Sequence, residues 1–131
     1  MDDRRQRAAE SRRSVDEAVR LPRAEVALIE TAKVRDYLLA PEHPTGRFKA
    51  AFFVRLGYSL QRWELLAADL TRHAQANDAS VGEANDFGQK FEVRGNLTGP
   101  DGKSASLVTV WIILRGDDLP RFVTAFPGRR I

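Results

Sequence analysis

Hydrophobic and polar residues alternate along the C-terminal third of the chain, between residues 87 and 127. Phe91, Val93 and Leu97 fall on one parity and the residues between them are mostly polar, a pattern typical of a strand with one buried face. Residues 107–114 are apolar on both parities, which predicts a central strand covered on both sides. Gly-Pro and Asp-Gly between these strands indicate a hairpin loop, and residues 121–126 complete an antiparallel meander.

Three helices are predicted before this meander from their capping residues and helix breakers. Thr31 is a suitable N-cap for a helix that ends before two prolines. Thr45 can cap a second helix, which Gly57 closes in the position where a left-handed residue is usual. Ser59 can cap a third helix, which runs to about Ala76 with its large apolar residues on one face.

The remaining segments complete the predicted domain organisation. Short extra strands are predicted at residues 25–30 and 80–85. Residues 1–20 contain almost no large apolar side chains, so we expect a flexible charged tail, either solvated or in contact with nucleic acid or a membrane surface. Residues 21–131 predict a single α+β domain, in which about three helices pack on one face of a three- to five-stranded antiparallel sheet.

Composition excludes several functional classes. The chain has 131 residues and a net charge of +3, which permits nucleic-acid binding without requiring it. The positive surplus lies on the predicted sheet, because residues 90–131 hold seven basic against four acidic residues. Without cysteine there is no disulfide, zinc-thiolate site or thiol nucleophile. The longest apolar runs are too short to span a membrane, so we expect a soluble, cytoplasmic protein.

Basic residues gather at the start of the second predicted helix. His43 precedes this helix, and Arg47 and Lys49 lie near its beginning, where free backbone N–H groups favour anions. Basic residues are unfavourable for the helix at this end, which indicates another use for them, such as holding a phosphate. The alternative is that His43 fills the proline-bounded loop and the two cations are solvated.

The polar face of the predicted sheet carries a second basic group, formed by Lys90, Arg94, Arg115 and Arg121. Lys90 and Arg94 are about 13 Å apart at ~3.3 Å per residue, which suits two neighbouring phosphates. The alternative is a solvated strand face with alternating charges, because Glu92 lies between them.

Three further residues of the predicted strands are candidates for substrate contact. Trp111 can stack on a base, although its apolar neighbours favour a place in the core. Thr109 and Thr124 carry hydroxyl groups in otherwise apolar strands, where a local hydrogen bond is the alternative role. With two histidines, no cysteine and no nucleotide-binding glycine loop, the sequence predicts neither a metal site nor a cofactor.

Three strings carry a resemblance to a known family: LPRAEVALIETAKVRDYLLAPEHPTGRFKAAFFVRLGY, FGQKFEVRGNLTGPDGKSASLVTVWII and LPRFVTAFP. Together they resemble a bacterial family of small uncharacterised domains, which occur alone or at the C-terminal end of larger polymorphic-toxin-type proteins. The resemblance spans about residues 21–127. The order of helices followed by a meander is also similar to the ribonuclease fold of barnase, colicin tRNase and RelE-like toxins.

This second resemblance implies a set of functional positions. They are His43, Lys49, Lys90, Thr109, Trp111, Arg121 and Thr124. The chain departs from the barnase pattern because no acidic general base with an evident partner is present, so a Glu/His pair is not assigned.

The first functional hypothesis is a metal-independent ribonuclease-like toxin domain, in which a 2′-hydroxyl of RNA attacks the adjacent phosphate. His43 would be the acid or base, Lys49 and Lys90 would hold the scissile phosphate, Arg121 would stabilise the developing charge, and Thr124 would position it. The substrate-binding residues would be Arg47, Arg94, Thr109, Trp111 and Arg115.

The second hypothesis is a non-catalytic binding or immunity-like module that docks an acidic protein or nucleic acid through the basic face. Expected partners are therefore RNA or a cognate immunity or antitoxin protein. A toxin would act after delivery to the cytoplasm of a target cell. Convergence of His43, Lys90 and Arg121 in one cleft would favour the enzyme, and a scattered arrangement would favour the binding module.

Overall fold

The computed structural model of the chain describes residues 19–43 and 46–128, and for residues 46–48 the backbone alone. Within these residues a four-stranded antiparallel sheet has the strand order β1-β2-β3-β4. Its strands are β1 (Ala79–Ala84), β2 (Gly88–Thr98), β3 (Ser104–Leu114) and β4 (Pro120–Pro127). The helices before the sheet are α1 (Thr31–Lys33), which continues as a π-helical turn (Val34–Leu38), α2 (Gly46–Arg55) and α3 (Trp63–Ala76). This architecture confirms the predicted α+β class.

The helix ends agree in part with the predicted caps. Gly57 has a φ of 102°, and its N–H donates to Val54 while that of Tyr58 donates to Phe53, at 2.9 and 3.2 Å. These bonds form the Schellman motif that closes α2, as predicted. Ser59 precedes a 3₁₀ turn (Leu60–Arg62) without a side-chain cap bond, and α3 follows it.

At the start of α1 the predicted cap is one residue out of place. Glu30 occupies the N-cap position, without a side-chain cap bond, and Thr31 is already helical. Thr45, the predicted cap of the second helix, lies outside the described residues.

The segment before α1 runs beside the outer edge of β4. The strand predicted at residues 25–30 is wrong as a full strand, because a 3₁₀ turn (Ala24–Val26) occupies its beginning. What remains is one parallel bridge between Leu28 and Arg121, with Leu28 N–H donating to Pro120 and Phe122 N–H donating to Leu28, both at 2.9 Å. This bridge fixes α1 next to β4.

The predicted tail, residues 1–20, is described only at its last two residues. Val19 forms an antiparallel bridge with Ala79, and Arg20 Nη1 donates to the Gln75 carbonyl at 2.9 Å. The described contacts of the fold therefore begin two residues before the predicted domain boundary, and residues 1–18 lie outside the described part of the chain.

The hydrophobic core lies between the helices and one face of the sheet. Leu66 and Leu70 on α3, four residues apart on one helix face, are fully buried. Trp111 of β3 is also fully buried, and its ring contacts Phe122 edge to face with the centroids 5.3 Å apart. The structure thus confirms the core interpretation of Trp111.

One polar network crosses this core. His73 Nε2 faces the carbonyl oxygens of Gly95 and Leu107, both at 3.2 Å, so this nitrogen carries the proton. Nδ1 then accepts from the Thr109 hydroxyl at 3.2 Å, and the Thr109 oxygen accepts from Trp111 Nε1 at 2.9 Å. Because each donor has an acceptor, burying these groups avoids the free-energy cost of unpaired polar atoms.

Trp111→Ala is expected to lower the free energy of unfolding by about 3–5 kcal/mol, because it leaves a cavity in the core. Trp111→Phe should keep most of the stability, since it loses mainly the hydrogen bond to Thr109. Chemical denaturation of both variants tests this expectation. An alanine variant as stable as the parent would contradict the core role.

Stability should also fall as the pH drops below about 6.5. Burial lowers the pKa of His73 below its ordinary value of 6.5, although hydrogen bonds with Gly95 and Leu107 oppose this shift. The unfolded chain therefore binds the proton first, and the free energy of unfolding declines by up to about 1.4 kcal/mol per pH unit between the unfolded and folded pKa values. Denaturant titrations at several pH values measure this slope.

One variant assigns this slope. His73→Gln should flatten the acidic loss of stability, because it removes the group that titrates. An unchanged slope in His73→Gln would show that another group causes it.

Candidate functional site

An open pocket of about 490 Å³ lies where α1 and its π-helical turn meet α2 and β4. Its lining combines two lysines, a tyrosine, a threonine and a glutamate with two small apolar residues. They are Glu30, Ala32, Lys33, Tyr37, Lys49, Val123 and Thr124. The pocket therefore presents cations and hydroxyl groups to an open cleft, which is suited to an anionic ligand.

Lys49 is the central cation of this pocket. Its Nζ donates to Thr124 Oγ1 at 2.9 Å and lies 5.4 Å from the ring centroid of Tyr37 and 5.9 Å from that of Phe126. Contacts of an ammonium group with aromatic faces are attractive. Two rings and a hydroxyl group thus hold the positive charge at the pocket.

A β-bulge in β4 places Thr124 beside this lysine. In the β3–β4 ladder Trp111 pairs with Phe122 and Val110 pairs with Thr124, so Val123 is left as the extra residue. Without this extra residue, Thr124 would share the core face of Phe122. The bulge instead puts it on the opposite face, and such irregularities are common next to active sites.

The same bulge also provides the contact of the second lysine. Lys33 Nζ donates to the carbonyl oxygen of Val123 at 3.2 Å. Among the described residues, neither Lys33 nor Lys49 forms an ion pair with a carboxylate. Both charges therefore remain available to an anion.

Tyr37 lines the pocket together with the two lysines and has an unusual acidity. Burial alone raises its pKa, but hydrogen bonding with Thr124 and Lys49 and the positive charges of Lys49 and Lys33 outweigh it, so the pKa of Tyr37 lies below the ordinary value of 10.0. These interactions favour the phenolate of Tyr37 more than it is favoured in a free tyrosine. Tyr37 thus places a phenol oxygen of lowered pKa inside the pocket.

His43 contacts the residues of the pocket through the ring of Tyr37. The two rings meet edge to face, with centroids 5.0 Å apart and an interplanar angle of 80°. Three of the predicted residues, His43, Lys49 and Thr124, are therefore brought together. The sequence patterns did not single out Lys33 and Tyr37, although residues four positions apart lie on the same face of a helix.

The predicted basic sheet residues share one face with Thr124. The ladders align Lys90, Ile112 and Arg121 in one row across β2, β3 and β4, so the Cα atoms of Lys90 and Arg121 are about 10 Å apart. The next row on the same face contains Glu92, Val110 and Thr124. Lys90 and Arg121 are therefore one row of this face away from Thr124, and they do not line the pocket.

Several predicted cations already have polar partners. Arg121 Nη2 donates to Asp117 Oδ2 at 3.3 Å, and Arg94 Nη1 donates to the Gly128 carbonyl at 2.8 Å. Hydrogen bonds from the backbone of residues 118 and 119, together with Arg121, hold the pKa of Asp117 below its ordinary value. Lys90 and Arg121 do not line the pocket, so the convergence of His43, Lys90 and Arg121 in one cleft, which would favour the enzyme, is not found there.

The remaining predicted residues lie away from the pocket. Thr109 and Trp111 are fully buried on the core face. Arg115 is exposed beyond the end of β3, and its Nη2 is 3.5 Å from the Asn85 carbonyl. The side chain of Arg47 lies outside the described part of the structure. Within that part, no group of three or more histidine, aspartate or glutamate side chains could hold a metal ion.

Comparisons with known proteins assign a family and a fold. The chain belongs to the family described as "Domain of unknown function (DUF6883)", which matches residues 20–129. No curated protein matches the chain. Among solved structures it is similar to a chain of a contact-dependent growth inhibition toxin–immunity protein complex from Klebsiella pneumoniae 342.

The alignment with that structure has 17% sequence identity and a TM-score of 0.61, and it covers 82% of this chain and 97% of that chain. At this identity the likeness shows a common fold. The predicted similarity to barnase, colicin tRNase and RelE-like toxins stays a prediction. No helix within the described residues is both long and apolar enough to cross a membrane.

The two tyrosines of the chain should ionise in well-separated steps. Tyr37 should lose its proton below pH 10.0. Tyr58 should do so well above that value, because burial and its 2.6 Å hydrogen bond to Asp69 raise its pKa. Ultraviolet absorbance of tyrosinate during an alkaline titration measures both steps.

Variants assign the two steps. Tyr58→Phe should remove the later step alone, and Lys49→Met should move the earlier step to higher pH, because it removes a hydrogen bond and a positive charge from Tyr37. An early step that does not respond to Lys49→Met would contradict the coupling described above.

Proposed function

We propose that this member of the DUF6883 family is a metal-independent ribonuclease toxin domain, which cleaves RNA by attack of a 2′-hydroxyl on the adjacent phosphate. The convergence of Lys33, Tyr37, Lys49 and Thr124 in one open pocket carries the proposal. RNA cleavage of this kind needs a base, an acid and cations that stabilise the transition state. The pocket and its rim offer a candidate side chain for each of these roles.

The proposed reaction assigns one role to each group. The Tyr37 phenolate accepts the proton of the 2′-hydroxyl, and the 2′-oxygen forms a bond to phosphorus. Lys49 and Lys33 hold the non-bridging oxygens of this phosphate, where negative charge develops, and Thr124 positions them by its hydroxyl. The bond from phosphorus to the 5′-oxygen breaks, and His43 in its protonated form donates the proton to that oxygen. The products are a 2′,3′-cyclic phosphate and a 5′-hydroxyl.

The sequence offers no carboxylate with an evident partner as the general base, and Tyr37 takes this role in the proposed reaction. Its lowered pKa supports this role, because a base works best when its pKa approaches the working pH. Glu30 also lines the pocket, and its carboxylate is the alternative proton acceptor.

The basic residues of the sheet face extend the proposed site. Lys90 and Arg121 lie one row from Thr124, where they would contact phosphates next to the scissile one. Arg94, Arg115 and Arg47 would add weaker, salt-dependent contacts at the periphery. Thr109 and Trp111 would support the site through the core rather than by contact with substrate, because both are fully buried.

Fold likeness supports the toxin part of the proposal, and it also supports the second candidate. The similar structure is a complex of a growth inhibition toxin and its immunity protein. A toxin domain would act after delivery to the cytoplasm of a target cell and would be neutralised by a cognate immunity protein. An immunity-like module would instead use the basic sheet face to dock an acidic protein.

Purified full-length protein should cleave cellular RNA in the presence of a metal chelator and leave 2′,3′-cyclic phosphate ends. Lys49→Ala should reduce the rate by about 10²–10³-fold, as expected for loss of a preorganised charge. Tyr37→Phe should reduce it by about 10²–10⁴-fold, as expected for loss of a general base. Gel analysis of labelled RNA measures both effects.

Lys103→Ala is the matched control, because Lys103 is an exposed lysine in the turn between β2 and β3, with its ammonium group 4.0 Å from Asp101. It should cleave RNA at the parental rate. Thermal unfolding checks that each variant is folded. If the parent neither cleaves RNA nor arrests growth when expressed, the ribonuclease proposal fails and the immunity-like module is favoured.

A further inference from the structure

Phe87 is an exposed aromatic residue that the proposed reaction does not use. It lies at the turn between β1 and β2, and 72% of its surface is accessible. Val81, another exposed apolar residue, is 60% accessible. Since an exposed phenylalanine contributes little to the core, we propose that Phe87 is a stacking platform for an unpaired RNA base. This inference rests on the proposed function and specifies single-stranded RNA as its substrate.

Backbone hydrogen bonds hold Phe87 on a fixed turn. Asn85 Oδ1 accepts from the N–H groups of Phe87 and Gly88 at 2.7 and 3.0 Å. The Phe87 carbonyl accepts from Arg115 N–H at 2.7 Å, and the Gly88 carbonyl accepts from Asn85 N–H at 2.9 Å. The backbone that carries the ring is therefore ordered before any ligand binds, which lowers the entropic cost of binding.

The strand ladders give the distance between this turn and the proposed site. Gly88 begins β2 in register with Leu114, and Lys90 lies two residues further, in the row of Arg121. Thr124 belongs to the row after that. At ~3.3 Å per residue and ~4.8 Å per strand, the Cα atoms of Gly88 and Thr124 are about 16 Å apart. This span fits a few nucleotides, with the Lys90–Arg121 row between the pocket and Phe87.

The surroundings of Phe87 favour a nucleic-acid base as its binding partner over an apolar protein surface. Exposed neighbours along the chain are Asn85 and Asp86, and Arg115 follows β3 at the same end of the sheet. A protein interface has a contiguous apolar patch at its centre, whereas a single aromatic ring is sufficient to stack on a base. Asp86 and Glu83 repel a phosphate here, so the phosphates belong to Lys90 and Arg121 and the uncharged base to Phe87.

Binding of a single-stranded oligoribonucleotide with 2′-O-methyl groups tests this inference, because the missing hydroxyl prevents cleavage. Fluorescence anisotropy with the full-length protein measures the dissociation constant. Phe87→Ala should weaken binding by about 5–150-fold, the range found for loss of one base–aromatic stack. Phe87→Trp should bind as tightly as the parent, and its added indole fluorescence should be quenched by the oligonucleotide.

Val81→Ala is the matched control, since it removes another exposed apolar side chain from the same hairpin, and it should bind normally. A duplex of the same sequence should bind the parent and Phe87→Ala equally well. If Phe87→Ala binds the single strand as tightly as the parent, the inference is wrong, and a loss confined to binding of a protein partner would equally overturn it.

The same variants separate this inference from the proposed function. A parent that binds the single strand in a Phe87-dependent way but never cleaves RNA would overturn the ribonuclease mechanism and keep the stacking platform. A parent that cleaves RNA while Phe87→Ala binds normally would overturn the platform alone.

Discussion

The β-bulge at Val123 is the local irregularity on which the arrangement of the pocket depends. Because one residue of β4 is left out of the ladder, Phe122 and Ala125 both face the core while Thr124 faces the opposite side. The carbonyl of Val123 is at the same time available to Lys33. A strand of regular alternation would bury the Thr124 hydroxyl and separate it from Lys49. The edge position of β4 makes this irregularity possible, since only one regular strand pairs with it.

The residues that stabilise the core and the residues of the proposed site lie on opposite faces of the sheet. On the core face, His73, Thr109 and Trp111 form a closed network in which the burial of polar atoms is balanced by hydrogen bonds. On the other face, Lys90 and Thr124 flank the apolar centre of β3, and both side chains are only partly buried. Polar residues that look alike in the sequence therefore have different roles, which their burial and partners distinguish.

In the proposed reaction a tyrosine takes the place of a carboxylate base. Burial is the largest single effect on the pKa of Tyr37 and raises it, but two ammonium groups and a hydroxyl group near the phenol together outweigh burial and favour the ionised form. The same cations are suited to the phosphate that would carry the reacting hydroxyl. In the proposed reaction one set of charges would therefore serve both phosphate binding and proton transfer.

Local sequence patterns determined the strands of the C-terminal meander, the closure of α2 at Gly57 and the burial of Trp111, because alternation, glycine backbone freedom and apolar runs act over a few residues. They also marked His43, Lys49 and Thr124 as candidates. Only the tertiary structure determined the β-bulge at Val123 and the bridge between Leu28 and β4. The proximity of Lys33 and Tyr37 to Thr124 also depends on it. Each depends on strand register and on contacts between residues far apart in the chain. The periodicity within one segment does not specify which register forms.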